Sequence, residues 1–117
     1  CNLLLDEMRL KLEFKDYKAA KLFYKMERYR AAQMAFSNFN RKYPASKKKE
    51  ETWFLELKSA FLLALNSVED KKLERIEIAI DAYVTFVDRF PNSENLREAE
   101  TMYEKLQRMQ QESKNLS

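Results

Sequence analysis

The chain has 117 residues, 45% of them apolar and 35% charged, and its 22 basic and 19 acidic side chains leave a net charge of +3. That is chain enough for one domain with a modest core, and so small and interspersed a charge does not imply strong nucleic-acid affinity. With no glycine and two prolines, tight hairpins, strand bulges and glycine-dependent left-handed helix ends have almost nothing to be made from, so the expected fold is all-α.

Cys1 is the only cysteine, so no internal disulfide forms. A cysteine in first place is what a bacterial lipoprotein presents to its acyl chains. Here the helical apolar pattern begins at Asn2 with no tether behind it, and the expectation is an ordinary helix residue in a fragment of a longer protein. Leu4, Leu5, Met8, Leu12, Ala19, Ala20, Phe23 and Met26 recur mostly at three- and four-residue spacing and predict one long helix to about Met26. A polar turn at residues 27–29 follows. Ala31, Ala32, Ala35, Phe36, Phe39 and Tyr43 continue the period as a second helix, which Pro44 stops.

Ser46 is placed to cap a third helix with its hydroxyl, and Trp53, Phe54, Leu57, Phe61, Leu62 and Leu65 are that helix's apolar positions. Residues 66–72 are polar and read as a longer connection. A fourth helix spans residues 73–90 with Ile76, Ala79, Ile80, Tyr83, Phe86 and Val87 on its buried side, and Pro91 ends it. Ser93 caps a fifth through Leu96, Ala99, Tyr103, Leu106 and Met109, after which the polar tail is expected to fray.

Self-comparison shows a repeat. Residues 31–46 (AAQMAFSNFNRKYPAS) align with residues 78–93 (IAIDAYVTFVDRFPNS) at an offset of 47 residues, pairing Ala32 with Ala79, Phe36 with Tyr83, Phe39 with Phe86, Tyr43 with Phe90, Pro44 with Pro91 and Ser46 with Ser93. Small residues admit close helix approach while aromatics fill the grooves beside them, which is a packing code for stacked helix pairs.

The chemistry that would make an enzyme is missing from the composition. Without histidine or glycine, and with one cysteine, nucleophile–base pairs, imidazole or thiolate metal sites and phosphate-cradling loops are nearly all excluded, and no cofactor is expected. Glu50 with Glu51, and Glu98 with Glu100, lie among basic residues and read as solvated ion pairs. Lys47, Lys48 and Lys49, followed at once by Glu50 and Glu51, read as a solvated helix start, with a membrane-surface or nucleic-acid patch as the competing reading. No apolar run approaches the roughly 20 residues that span a bilayer, and no signal-peptide pattern is present.

At these residues the chain resembles the tetratricopeptide (TPR) repeat, a helix–turn–helix of about 34 residues. Ala20, Phe23, Tyr29, Ala32, Phe36 and Pro44 fit its spacing, and Phe54, Leu57, Phe61, Ile76, Ala79, Tyr83 and Pro91 repeat it. Two departures stand out: Lys58 falls where a small residue is usual, and the stretch before Ile76 is too long, so the second repeat has extended helices or a protruding loop. The resemblance implies a single TPR-like helical-hairpin solenoid over residues 1–117, with units at about 14–46 and 47–93 and a capping helix at 94–112.

The order of these motifs, with the long leading helix, "RKYPAS" and "FVDRFPNS", is similar to the carboxy-terminal half of the BamD (ComL-like) outer-membrane assembly lipoproteins. That resemblance implies a non-catalytic scaffold on the periplasmic face of the bacterial outer membrane, lipid-anchored through a portion outside this fragment. Its implied partners are the POTRA domains of the barrel-inserting subunit and other assembly lipoproteins. A general TPR adaptor for another protein or an unfolded client is the alternative. On a TPR solenoid the first helix of each pair lines the concave face, which selects Tyr17, Lys21, Tyr24 and Lys25, and then Leu55, Ser59, Leu62 and Leu63, as candidate protein-binding residues. Tyr24 adjoins Phe23, and a packing role stands beside the binding one.

Overall fold

The structure, a computed structural model, describes the backbone of residues 3–67 and 69–116 and the side chains of residues 7–67 and 70–114. Five helices make it up: α1 (Leu3–Lys25), α2 (Tyr29–Lys42), α3 (Lys49–Leu65), α4 (Glu69–Arg89) and α5 (Leu96–Leu116). No strand occurs among the described residues. Each helix packs on the next, and α3 also touches α5, so alternate helices share a face as in a TPR solenoid. The radius of gyration, 15.7 Å, exceeds the ~13 Å of a compact domain of this length. Part of the excess is α1, whose residues 7–12 are all exposed while its second half packs on α2. The expectation about Cys1 lies outside the described residues.

Why the helices stop where they do is written in the turns. Pro44 and Pro91 force the residue before them out of the helical region. Tyr43 accordingly sits at φ −125°. The two turns repeat bond for bond at the 47-residue offset. The Tyr43 and Phe90 amides each donate to the carbonyl four residues back at 2.8 Å, the Ser46 and Ser93 amides donate to the Tyr43 and Phe90 carbonyls at 3.1 and 3.2 Å, and the Lys49 and Leu96 amides donate to Ser46 and Ser93.

The serines differ in one respect from the expectation. Each hydroxyl accepts from the amide two residues on, Lys48 and Asn95, at 3.1 Å. They therefore close a serine turn ahead of the helix instead of serving as its N-cap, and α3 begins without a side-chain cap. Ser46 also donates to Glu13 Oε2 at 3.1 Å, and Tyr43 Oη donates to Asp16 Oδ2 at 2.8 Å, tying the turn to α1.

One left-handed helix end does form, without glycine. Glu27 has φ 61°, and the Arg28 and Glu27 amides donate to the Phe23 and Tyr24 carbonyls at 3.0 and 3.1 Å. That pattern is a Schellman cap with a glutamate in the position glycine usually holds.

Two boundaries differ from the sequence reading. Residues 69–72 belong to α4, so the extra length of the second repeat lengthens its helices and does not make a protruding loop. No glycine or proline interrupts that stretch, and lysine, glutamate and leucine sustain a helix well. Likewise α5 continues to Leu116, with Ser113 buried, where fraying was expected.

The main core joins α3, α4 and α5 through Phe54, Leu57, Phe61, Ile76, Phe86 and Leu106, with Ala60, Ala64, Ala79 and Ala99 at the close approaches. Two smaller clusters hold α1 to α2: Tyr17, Phe39 and Tyr43, and Ala20, Ala32 and Phe36.

Candidate protein-binding surface

The odd-numbered helices α1, α3 and α5 share one face, and two ion pairs cross it. Lys21 Nζ of α1 lies 3.2 Å from Glu51 Oε2 of α3, and Lys58 Nζ of α3 lies 3.0 Å from Glu98 Oε2 of α5. Glu51 and Glu98 are related by the 47-residue repeat. Tyr17 Oη donates to Glu51 Oε1 at 2.6 Å and accepts from Lys21 Nζ at 3.2 Å. The Lys48 ammonium sits 4.5 Å from the Tyr17 ring centroid.

Each shift in acidity has a physical source. Burial, followed by the bond to Glu51, pushes the Tyr17 hydroxyl up. The bonds to Tyr17 and Glu51 hold the Lys21 ammonium above its usual range. Burial favours a neutral Glu51, yet Tyr17, Lys21 and Lys48 together outweigh it and hold that carboxyl below its ordinary value. The bond to Glu98 raises Lys58 against desolvation, and Tyr24 beside it adds to the effect.

The two halves of this face superpose in sequence by 37 residues. Tyr17 and Phe54 each stand beneath a lysine one turn on, at 5.1 and 6.0 Å, and pack on Phe39 and Phe86 respectively, at 6.2 and 5.6 Å. Ala20 and Leu57 are both fully buried, and Lys21 and Lys58 carry the ion pairs. The TPR spacing aligned Ala20 with Lys58; helix pairing instead matches Ala20 with Leu57, one residue earlier. One residue is 100° of helix, enough to turn Lys58 onto the shared face and Ser59 into the interior.

That register decides where the candidate residues lie. Tyr17 is buried in the α1–α2 cluster with its hydroxyl in the ion-pair network. Lys21 is partly exposed beside it, Tyr24 packs edge-on to Tyr29 at 5.9 Å, and Lys25 is exposed. Leu55 is half-buried against the Ala20, Ala32 and Phe36 cluster, and Leu62 against the main core. Ser59 is wholly buried, and its Oγ has no hydrogen-bond partner among the described residues, so it offers nothing to a ligand. The structure thus brings Tyr17 and Lys21 together, and sets Tyr24 beside Lys58.

Glu51, Lys58 and Glu98 are the members of this face that the concave-position rule omits. The signal was available: extended five residues past the serines, the repeat pairs Glu51 with Glu98. Along α1, Phe14, Lys18, Leu22 and Lys25 line a shallow groove of about 500 Å³. Phe14 and Leu22 are 51% and 56% exposed, and no acidic side chain lines the groove. Lys47 and Lys49 point to solvent at the start of α3. Among the described residues no three acidic or cysteine side chains gather as a metal site, and no helix is long and apolar enough to cross a membrane.

Stacked helical hairpins, a face of tyrosines, lysines and half-buried leucines, and ion pairs that brace one repeat against the next define a TPR-like helical-repeat module. More particularly, the chain belongs to the YfiO family of outer membrane lipoproteins, whose profile matches residues 11–112. No curated protein matches it. The match takes in α2, α3 and α4 entire and most of α1 and α5, and it assigns the protein to the outer membrane as an interaction scaffold.

Proposed function

We propose that this module docks on the POTRA domains of the β-barrel-inserting subunit, as a periplasmic scaffold of the outer-membrane assembly machinery. A lipid anchor on a portion of the full-length protein outside this sequence would hold it at the membrane. The observation that carries the reading is the exposed stripe of Phe14, Lys18, Leu22 and Lys25 on α1, with no acidic side chain in its lining. Lys21, Tyr24, Lys25, Leu55 and Leu62 form the contact surface, with Tyr17 holding Lys21 in place from beneath. Aromatic and aliphatic patches with a cationic rim suit a mixed apolar and acidic partner.

Calorimetric titration with the isolated POTRA domains of the same organism's insertase, at physiological and high salt, tests it. One-to-one binding that survives salt and weakens in Lys25→Glu and Tyr24→Ala is the expected result. Absence of binding at high micromolar concentration refutes the POTRA assignment and favours the alternative, an adaptor for another periplasmic protein or unfolded client.

A further inference from the structure

The opposite side of α3 carries a second surface that the shared face does not use. Trp53 and Glu56 project about half a helical turn away from Glu51 and Lys58, into a groove of about 460 Å³ closed by Arg41 of α2, Pro44 and Arg89 of α4. The Arg89 guanidinium stacks on the only tryptophan, 4.4 Å from its ring centroid. Neither Arg41 nor Arg89 forms an ion pair among the described residues, and both are exposed. A guanidinium held flat on an aromatic face keeps its N–H edges free and pre-oriented for a carboxylate.

The floor of the groove is braced from inside. Thr52 Oγ1 donates to Asn40 Oδ1 at 2.6 Å, and Asn40 Nδ2 donates to Glu56 Oε1 at 2.8 Å. Thr52 and Asn40 are buried. The second carboxylate oxygen of Glu56 has no hydrogen-bond partner among the described residues, so it is an acceptor left open to the groove. Arg89, whose guanidinium has no hydrogen-bond partner among the described residues, and Arg41, which donates to Asn38 Oδ1 and keeps its other N–H donors, stand beside that acceptor and match an acidic side chain flanked by a backbone N–H.

We infer that the Arg41, Trp53, Glu56 and Arg89 groove is a second docking site, for an acidic segment of a partner protein. A carboxylate of that segment bridges Arg41 and Arg89, and an adjacent backbone amide donates to Glu56. The site lies on the other side of α3 from the surface proposed for POTRA docking, and does not depend on that assignment.

Trp53 is the only tryptophan and so a built-in reporter. Two 12-residue peptides, one with four glutamates and one with four lysines in the same alanine–serine background, are titrated at physiological salt while Trp53 fluorescence is followed. A saturable response to the acidic peptide only is expected, weakened roughly tenfold or more in Arg89→Ala and in Arg41→Ala and unchanged in Lys71→Glu, an exposed lysine of α4 outside both surfaces. Circular dichroism confirms that the arginine variants remain folded, as their exposure implies. The inference is overturned by no saturable response up to several millimolar, by equal binding of the lysine peptide, or by acidic-peptide binding that both arginine variants retain in full.

Discussion

Replacing Tyr17 separates its structural part from any part in contact. In Tyr17→Phe the ring keeps its place against Phe39 and Tyr43, and only the hydroxyl linking Lys21 to Glu51 is lost. A hydrogen bond to a charged group is worth about 1.5–3 kcal/mol, but Lys21 and Glu51 are 37% and 44% exposed and remain 3.2 Å from each other, so water recovers much of that. A loss of about 1 kcal/mol is expected. Tyr17→Ala also empties the α1–α2 cluster, where deletion of a buried aromatic costs about 3–5 kcal/mol. Urea unfolding followed by circular dichroism reads both: with a slope near 2 kcal/mol/M, the midpoint falls by roughly 0.5 M and roughly 2 M. If the alanine variant is no worse than the phenylalanine variant, the ring is not holding α1 to α2, and the assignment of Tyr17 to the core is refuted.

Other perturbations follow from the same geometry. Glu27→Gly relieves a left-handed glutamate and is expected to stabilise the chain by about 0.5–1 kcal/mol; an unchanged thermal midpoint would contradict that cap. Phe86→Ala, at the meeting of Phe54, Phe90 and the main core, is expected to cost about 3–5 kcal/mol, while Val84→Ala, 56% exposed on the same helix, stays within about 0.5 kcal/mol. Burial raises the Glu56 carboxyl, with Asn40 and Arg41 offsetting only part of that. The folded state therefore holds this proton more tightly than the unfolded one, and ionising Glu56 removes stability as pH rises through its folded value. Glu56→Gln is accordingly expected to be more stable than the parent at pH 7, with the gap closing below the unfolded value of 4.5. Urea midpoints at pH 7 and pH 4 check the sign.

Periodicity and proline placement made all five helices legible before any coordinates, because amphipathic spacing and a missing amide act locally. The repeat at 47 residues was legible for the same reason, and it extends to the hydrogen bonds of both turns. Two features were not local. The excess length before Ile76 could have formed a loop or lengthened helices, and only packing of α4 along α3 settles it as helix. The register of α3 is harder: Leu57 and Lys58 differ by 100° of rotation, and family spacing makes Lys58, not Leu57, the counterpart of Ala20. Ion-pair partners fix it, since Lys58 reaches Glu98 as Lys21 reaches Glu51. Ser59 falls among the candidate contacts because of that single step, and Glu51, Lys58 and Glu98 do not, because charged residues on an exposed helix face look alike in sequence whether solvated or bridging.

In the proposed complex the α1 and α3 face meets the partner. Amide chemical shifts of the isotopically labelled chain, followed during titration with the unlabelled POTRA domains, test it most directly. The largest changes are expected to cluster at Lys21, Tyr24, Lys25, Leu55, Lys58 and Leu62, with Trp53 and Arg89 little affected. Changes confined to the Trp53 and Arg89 groove, or spread over neither face at saturating partner, would contradict it.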